Sequence, residues 1–454
     1  MKSNTDRIYL LEEEKVPKAL LTLGIPTMIG MMVSALYNLI DAFFVGQLGT
    51  AQIGAVSVVY TLGVILLGIG LLFGSGASSY LSRLLGQKLY KEASDCASTA
   101  LITSVGVGSV IILLLLVFLT PILRLLGATD TILPFAKEYA VIFIIGLVFN
   151  VFNITVNNII TAEGASMISM IAMLSGGIAN IIFDPVLIFG FHMGVKGAAI
   201  ATLIARIISF VIYLTYLLSG KSIFKFKIGN WKPSKVVYSE IFKIGIPMLV
   251  FQLLSSLTLG ITNSLAARYG DAAVAALGVV ARIMNLGGMI IFGFLKGYQP
   301  FVGYNFGANH SERVEEATKT ILKWGMVFCI ATATILVVCR IPIMESFSKN
   351  DEMVVSIGSR ALIANALVFI GMAYQVLHGT RFLALGKAKQ GGMISIGRQG
   401  AFFLPLVFLL TAIFDLNGLI LAQPVSDICS ILMVVILVQR DKKDVLIALN
   451  HNCE

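Results

Sequence analysis

Residues 19–46 read ALLTLGIPTMIGMMVSALYNLIDAFFVG, and Asp41 is the one charged side chain in the stretch. A helix rises 1.5 Å per residue, so this run outlasts a hydrocarbon core about 30 Å thick. A helix buried in a water-soluble core is shorter than this and carries a polar stripe. The stretch is predicted to cross a membrane.

Similar stretches recur along the whole chain. Breaks at charged, Pro and Gly residues leave apolar runs at 19–46, 52–81, 95–119, 132–158, 167–190 and 196–219, then at 240–267, 272–301, 317–338, 353–378, 390–413 and 417–439. The predicted fold is all-α, a polytopic membrane protein of twelve spans. The 454 residues are 57% hydrophobic and 13% charged, against about 25% charged in a soluble domain, and the mean hydropathy is +0.92. Those figures exclude a soluble enzyme, a nucleic-acid binder and a disordered chain.

The net charge of +9 is a topology signal. With both termini in the cytoplasm, 23 Lys and Arg fall on the inner side, from Lys2, Arg7, Lys15 and Lys18 to Arg440, Lys442 and Lys443. Seven fall outside: Arg124, Lys137, Lys196, Arg268, Arg340, Lys349 and Arg360. Arg206, Arg282 and Lys296 stay within spans. This is the positive-inside asymmetry, and it needs no nucleic-acid partner. The five cysteines, Cys96, Cys329, Cys339, Cys429 and Cys453, show no metal or disulfide spacing. The acidic Glu12-Glu13-Glu14 ahead of the first span does not read as a cleaved signal peptide.

The chain repeats itself at a constant offset. Leu23-Gly24-Ile25-Pro26 returns as Ile244-Gly245-Ile246-Pro247, Gly49 meets Gly270, Phe73 and Gly76 meet Phe294 and Gly297, and Gly86 meets Gly307. Gly197 meets Gly418, and Gly164 meets Gly386 after a slip of one position. Two related six-helix lobes, 1–219 and 240–454, are expected to flank a basic cytoplasmic linker at 220–239. Six is even, so the repeats are parallel and alternating access around a central cleft is the expected geometry.

No phosphate-binding loop is present, since Gly220-Lys221-Ser222 is only the tail of that motif. An ion gradient must then drive transport by this chain alone. Ionisable groups inside spans are costly and usually functional, and two acids stand out, Asp41 in helix 1 and Asp184 in helix 5. Asn180 lies one turn before Asp184, and on helix 4 Asn153 and Asn157 are likewise four apart. Pro185 cannot donate to the Ile181 carbonyl, which frees that oxygen, and Thr202 adds a hydroxyl. Such an oxygen-rich set suits a hard cation, Na⁺, or a proton, with no other cofactor.

At the repeat offset Asp41 becomes Thr262 and Asp184 becomes Pro405, so coupling is expected in the first half only. The second half offers Arg282, His378, Arg398 and Asp427, with Asp427 expected to pair with Arg282 or Arg398. Tyr37, Asn153, Phe149, Phe152 and Met173 are candidates to line a substrate cavity, because aromatic and Met surfaces tolerate varied ligands. Pro26, between Gly24 and Gly30, is a candidate hinge.

The order of these features resembles the multidrug and toxic compound extrusion (MATE) family. Gly-Ile-Pro opens both halves, Leu39-Ile40-Asp41 is followed by Val45-Gly46, Ala162-Glu163-Gly164 follows helix 4, and Asn180, Asp184 and Pro185 share helix 5. The acids on helices 1 and 5 are similar to those of the prokaryotic DinF-like and MepA-like branch. That resemblance implies a cation site at Asp41, Asn180, Asp184 and Thr202, with Asn157 in the same cavity. It also implies export of small amphipathic, often cationic, drugs against Na⁺ or H⁺ by a monomer in a prokaryotic plasma membrane. A flippase for a lipid-linked precursor would share the topology, but it favours basic residues along its cleft, where only Arg206 and Arg282 lie well inside spans as arginines. An intramembrane enzyme is excluded by four histidines, His192, His310, His378 and His451, scattered over separate segments.

Overall fold

The computed structural model of the chain describes residues 4–348 and 351–451; Lys2, Lys349 and Cys453, and the side chains of Lys442 and Lys443, fall outside that description. The described residues contain no strand. A short helix α1 (Asn4–Glu12) precedes α2 (Val16–Gly46), α3 (Thr50–Gly86) and α4 (Tyr90–Val117). After the short α5 (Leu119–Leu125) come α6 (Leu133–Ala162), α7 (Ser166–Pro185) and α8 (Gly194–Leu218). The second half holds α9 (Lys235–Ala266), α10 (Asp271–Gly307), α11 (Ser311–Val338), the short α12 (Arg340–Ser348), α13 (Glu352–Ala384), α14 (Ala388–Ile396) and α15 (Phe403–His451).

Eleven helical stretches among the described residues are long and apolar enough to cross a membrane. The last of them, Ala388–Asp441, contains both of the final two predicted spans. Asp415 divides it, with φ 49° and ψ −132°. A Cβ on Gly418 would stand 1.9 Å from the Leu410 carbonyl oxygen. An unbroken helix would separate these positions by about 12 Å, so the chain doubles back at Asp415 and the glycine is required there. Gly197 in the first half is held in the same way, 2.8 Å from Leu187, beyond a reversal through His192 and Gly194 at φ 54° and 56°.

The left-handed backbone positions repeat as the sequence does. Gly49 and Gly270 have φ of 123° and 95°, Lys88 and Asn309 have 62° and 61°, and Gly164 and Gly386 have 82° and 74°. Few residues adopt such angles, so their return at matching positions shows that the two halves share turn geometry as well as composition.

By packing, the chain forms two compact units whose limits fall inside helices. The first is Met1–Leu249 with Gly293–Val314, and the second is Val250–Phe292 with Glu315–Glu454. In the first, α3 packs on α6, α2 on α7, and α8 on both α6 and α7. In the second, α13 packs on α15, α14 and α12 around a core that includes Leu362, Phe403, Val407 and Leu419.

The start of the chain is fastened to the first unit. Arg7 is buried and bonds to Glu163, Tyr216 and the Lys221 carbonyl. Glu163 also accepts from the Ser222 hydroxyl at 2.9 Å and the Ile223 N–H at 2.7 Å. Asn305 donates to the Leu11 carbonyl at 3.0 Å, and Tyr304 donates to Glu12 at 2.9 Å.

Candidate functional site

α2 and α7 approach closely because small residues line their contact. Gly30 sits against Met173, and Gly177 against Val33 and Tyr37. Glycine lets helix backbones meet inside a membrane, and here the contact brings the far end of α2 to the last turn of α7. The carboxyls of Asp41 and Asp184 lie against each other. Asn180, one turn back on α7, donates from Nδ2 to Asp184 Oδ1 at 3.4 Å. α7 ends at Pro185, and a π-helical turn, Val186–Gly190, follows, as expected where proline removes a ladder donor.

Three oxygens of this group, Asp41 Oδ1, Asn180 Oδ1 and Asp184 Oδ2, are buried without a hydrogen-bond partner. Buried acceptors are seldom left so, and three together form an oxygen cluster that a cation or a proton would satisfy. Among the described residues no three His, Cys, Asp or Glu side chains gather as a metal site. The donor set is two carboxylates and an amide, which suits a monovalent hard cation or a proton in transit. Thr202 is half-buried on α8, one turn before Arg206.

Arg206 joins this group, a placement that sequence reasoning missed. Its charge reaches Asp41, Tyr37 and Tyr139. The guanidinium lies 4.4 Å over the Phe143 ring and donates to the Phe143 carbonyl at 3.2 Å. Tyr139 is buried beside both acids and Tyr60. Arg206 was visible as a charge inside a span, but nothing in the sequence joined it to Asp41. Tyr139 lies in the predicted run 132–158 behind Lys137 and Glu138, and no spacing tied it to the acids.

Asn157 belongs to a second polar group. Its amide nitrogen donates to the Ser169 hydroxyl and, at 2.7 Å, to the Tyr213 hydroxyl, while its oxygen accepts from Lys296 of α10. Asn153 lies between the two groups, donating to the Arg206 carbonyl at 2.9 Å with its own oxygen unpartnered. Of the candidate cavity residues, Tyr37 stands with the acids and Met173 with the Asn157 group, where its sulfur meets the Ser169 hydroxyl at 4.0 Å. Phe149 and Phe152 both meet Phe210 edge-on, at 5.1 and 4.7 Å between ring centres.

Pro26 lies well inside α2, which continues unbroken to Gly46. In the second unit Asp427 pairs with Arg398, at 2.7 Å to Nε and 3.3 Å to the terminal nitrogen. His378 is buried and tilted against Tyr374, with ring centres 4.3 Å apart.

The MatE family model matches residues 26–186 and 247–409, one match in each half of the repeat. The multidrug export protein MepA of Staphylococcus aureus is 31% identical over 445 residues, covering 96% of this chain and 97% of its own. MepA of Staphylococcus haemolyticus is 30% identical over 434 residues, covering 94% of each chain. Among solved structures, a MATE protein in complex with MaL6 superposes with a TM-score of 0.89 at 25% identity, covering 96% of this chain and 99% of that one. A MATE protein in a bent conformation superposes with a TM-score of 0.87 at 25% identity, over 98% of this chain and 99% of that one. With the family model spanning both halves and these relatives covering almost all of it, the chain belongs to the MATE family of multi-pass membrane transporters.

Proposed function

We propose that the chain exports amphipathic, often cationic, compounds by antiport against Na⁺ or H⁺, and that the ion is taken at Asp41 and Asp184. The observation that carries this reading is the acid pair with its three unpartnered oxygens. Two touching carboxylates repel unless a cation or a proton lies between them. An ion entering from outside is therefore bound well by this arrangement.

Asp41 and Asp184 hold the ion, Asn180 contributes an amide oxygen, and Thr202 on α8 adds its hydroxyl. Ion binding removes one of the pair's two negative charges, which weakens the hold on a cationic compound and releases it outward. The ion then moves inward with the conformational switch, helped by a membrane potential worth about 2.3 kcal/mol per charge at 100 mV. Coupling requires only that ion and drug bind the two states with different affinity. Pro26 is the hinge at which α2, continuous in this structure, bends during the switch and carries Asp41 with it. The transporter works as a monomer in a prokaryotic plasma membrane, with both termini in the cytoplasm. The multidrug export proteins named among its relatives support the substrate class.

Drug uptake into everted vesicles, which reports export, tests this reading under separate Na⁺ and pH gradients, with Asp41→Asn and Asp184→Asn beside the native chain. Both variants should lose gradient-driven efflux, and the gradient that drives the native chain names the ion. Undiminished efflux in both variants refutes coupling at this pair.

A further inference from the structure

We propose that Lys296, oriented by Asn157, takes the acidic group of an amphipathic substrate, so that anions and zwitterions are among the compounds this transporter moves. The inference rests on the export reading and sharpens its substrate class.

Lys296 lies in the crossing part of α10, and its amine donates to Asn157 Oδ1. The Asn157 amide cannot turn round, because the donor-only ammonium of Lys296 requires the oxygen end, while the nitrogen meets the Ser169 and Tyr213 hydroxyls. The acceptor end is thus fixed toward the lysine. An ammonium has three donors, and Asn157 takes one. No charged side chain among the described residues lies within reach of Lys296.

The contrast with Arg206 decides the meaning. Deep inside the spans of the first unit, among the described residues, stand two acids, Asp41 and Asp184, and two bases, Arg206 and Lys296. Arg206 is within reach of Asp41 and donates to the Phe143 carbonyl. Lys296 has a neutral amide alone. A cation held inside a protein without a counter-charge is costly, and a merely structural strut would need no charge. The repeat supports this, since the residue corresponding to Lys296 in the first half is the small Ser75.

Lys296 as a residue is half-buried and not sealed in the core. Gly293, one turn before Lys296, lets the backbone of Thr27 and Met28 and the Cβ of Met31 on α2 come close, and the sulfur of Met173 touches the Ser169 hydroxyl that binds Asn157. Methionines adapt to varied apolar bodies, while the two remaining N–H groups of Lys296 meet a carboxylate, sulfonate or phosphate.

The test is equilibrium binding to the purified full chain in phosphatidylcholine nanodiscs, read by fluorescence anisotropy. Two dyes share one xanthene ring system, the cation rhodamine 6G and the net anion sulforhodamine B. The native chain should bind sulforhodamine B. Lys296→Gln should lower that affinity by about tenfold or more, as loss of a charge-assisted bond implies, without weakening rhodamine 6G. Lys296→Arg should retain the anion. Competition separates the two sources of such a group: displacement by cholate points to soluble organic acids, displacement by added phosphatidylglycerol to a lipid phosphate, and displacement by neither overturns the inference. Native binding of rhodamine 6G alone overturns it too while leaving the export reading intact. An unchanged preference between the dyes in both Lys296→Gln and Lys296→Met also overturns it.

Discussion

Gly86 and Gly307, which correspond in the repeat, each press on the helix that carries the other. A Cβ on Gly86 would stand 2.0 Å from the Tyr304 carbonyl oxygen, and one on Gly307 would stand 2.2 Å from that of Arg83. Arg83 and Tyr304 are themselves counterparts at the same offset. The crossing of α3 and α10 is thus reciprocal, and both glycines are needed because the obstacle is backbone. Gly86→Ala and Gly307→Ala should each destabilise the protein by about 1–3 kcal/mol, the usual cost of overpacking. Gly106→Ala, with nothing within 4 Å of the added carbon, should be neutral or slightly stabilising. Thermal unfolding in detergent checks the contrast, and equal midpoints for all three variants would remove the crossing as a constraint.

The link between Arg206 and Asp41 predicts non-additivity. Arg206→Gln strips the charge from beside Asp41 and leaves the Phe143 carbonyl short of a donor, a loss of about 1–3 kcal/mol. Adding Asp41→Asn should cost less in the Arg206→Gln background than in the native chain, by about 0.5–3 kcal/mol. Strictly additive midpoints would mean that the two side chains do not interact.

At the start of the chain, Arg7 and Glu163 are buried together, with side-chain exposures of 4% and 0%. Removing one partner leaves a charge without its counterpart, so Arg7→Met or Glu163→Gln should cost about 3–5 kcal/mol. Loss of α1 protection in hydrogen exchange would accompany the change. Full protection in Arg7→Met would show that this pair does not hold the helix.

Glu12 supplies a pH dependence. The Tyr304 hydroxyl, and then Lys88, hold its carboxyl below the ordinary 4.5, against the opposing pull of burial. A depressed carboxyl contributes stability above its unfolded pKa and loses it as pH falls through the folded value. Proteolysis near residues 4–12 should therefore be slow at pH 7 and quicken below pH 4.5. Glu12→Gln should weaken the pH difference; a difference of native size in that variant assigns it to another group.

In the second unit, Asp427 is held by Arg398 and by Gln423, the latter at 2.8 Å. Asp427→Asn should lower stability by about 3–5 kcal/mol. Whatever efflux survives should keep the native choice of driving ion. A switch of ion in this variant would move part of the coupling into the second unit.

The crossing helices and the acids within them were legible because apolar runs and solitary charges are local signals. Asp41 and Asp184 stand out in any reading of their segments, and Asn180 follows from helical spacing. What the sequence concealed was company. Arg206 lies on a different helix from Asp41, far along the chain, and Lys296 is comparably remote from Asn157, so no periodicity joins them. Asn157 and Asn153 share a helical row, yet one bonds to Lys296 and the other to the Arg206 carbonyl, a division set by neighbouring helices. Asp415 looked like a loop residue between two spans, and only its backbone angles show how abruptly the chain reverses there.

The matched left-handed turns also show which features the two halves must share. Lys88 and Asn309 have nearly the same backbone angle, at φ 62° and 61°, whereas the counterparts of Asp41 and Asp184 have become Thr262 and Pro405. Backbone shape is therefore matched between the halves at places where side-chain chemistry is not. A left-handed turn constrains the backbone angle and leaves the side chain free to vary, so a lysine serves in one half and an asparagine in the other.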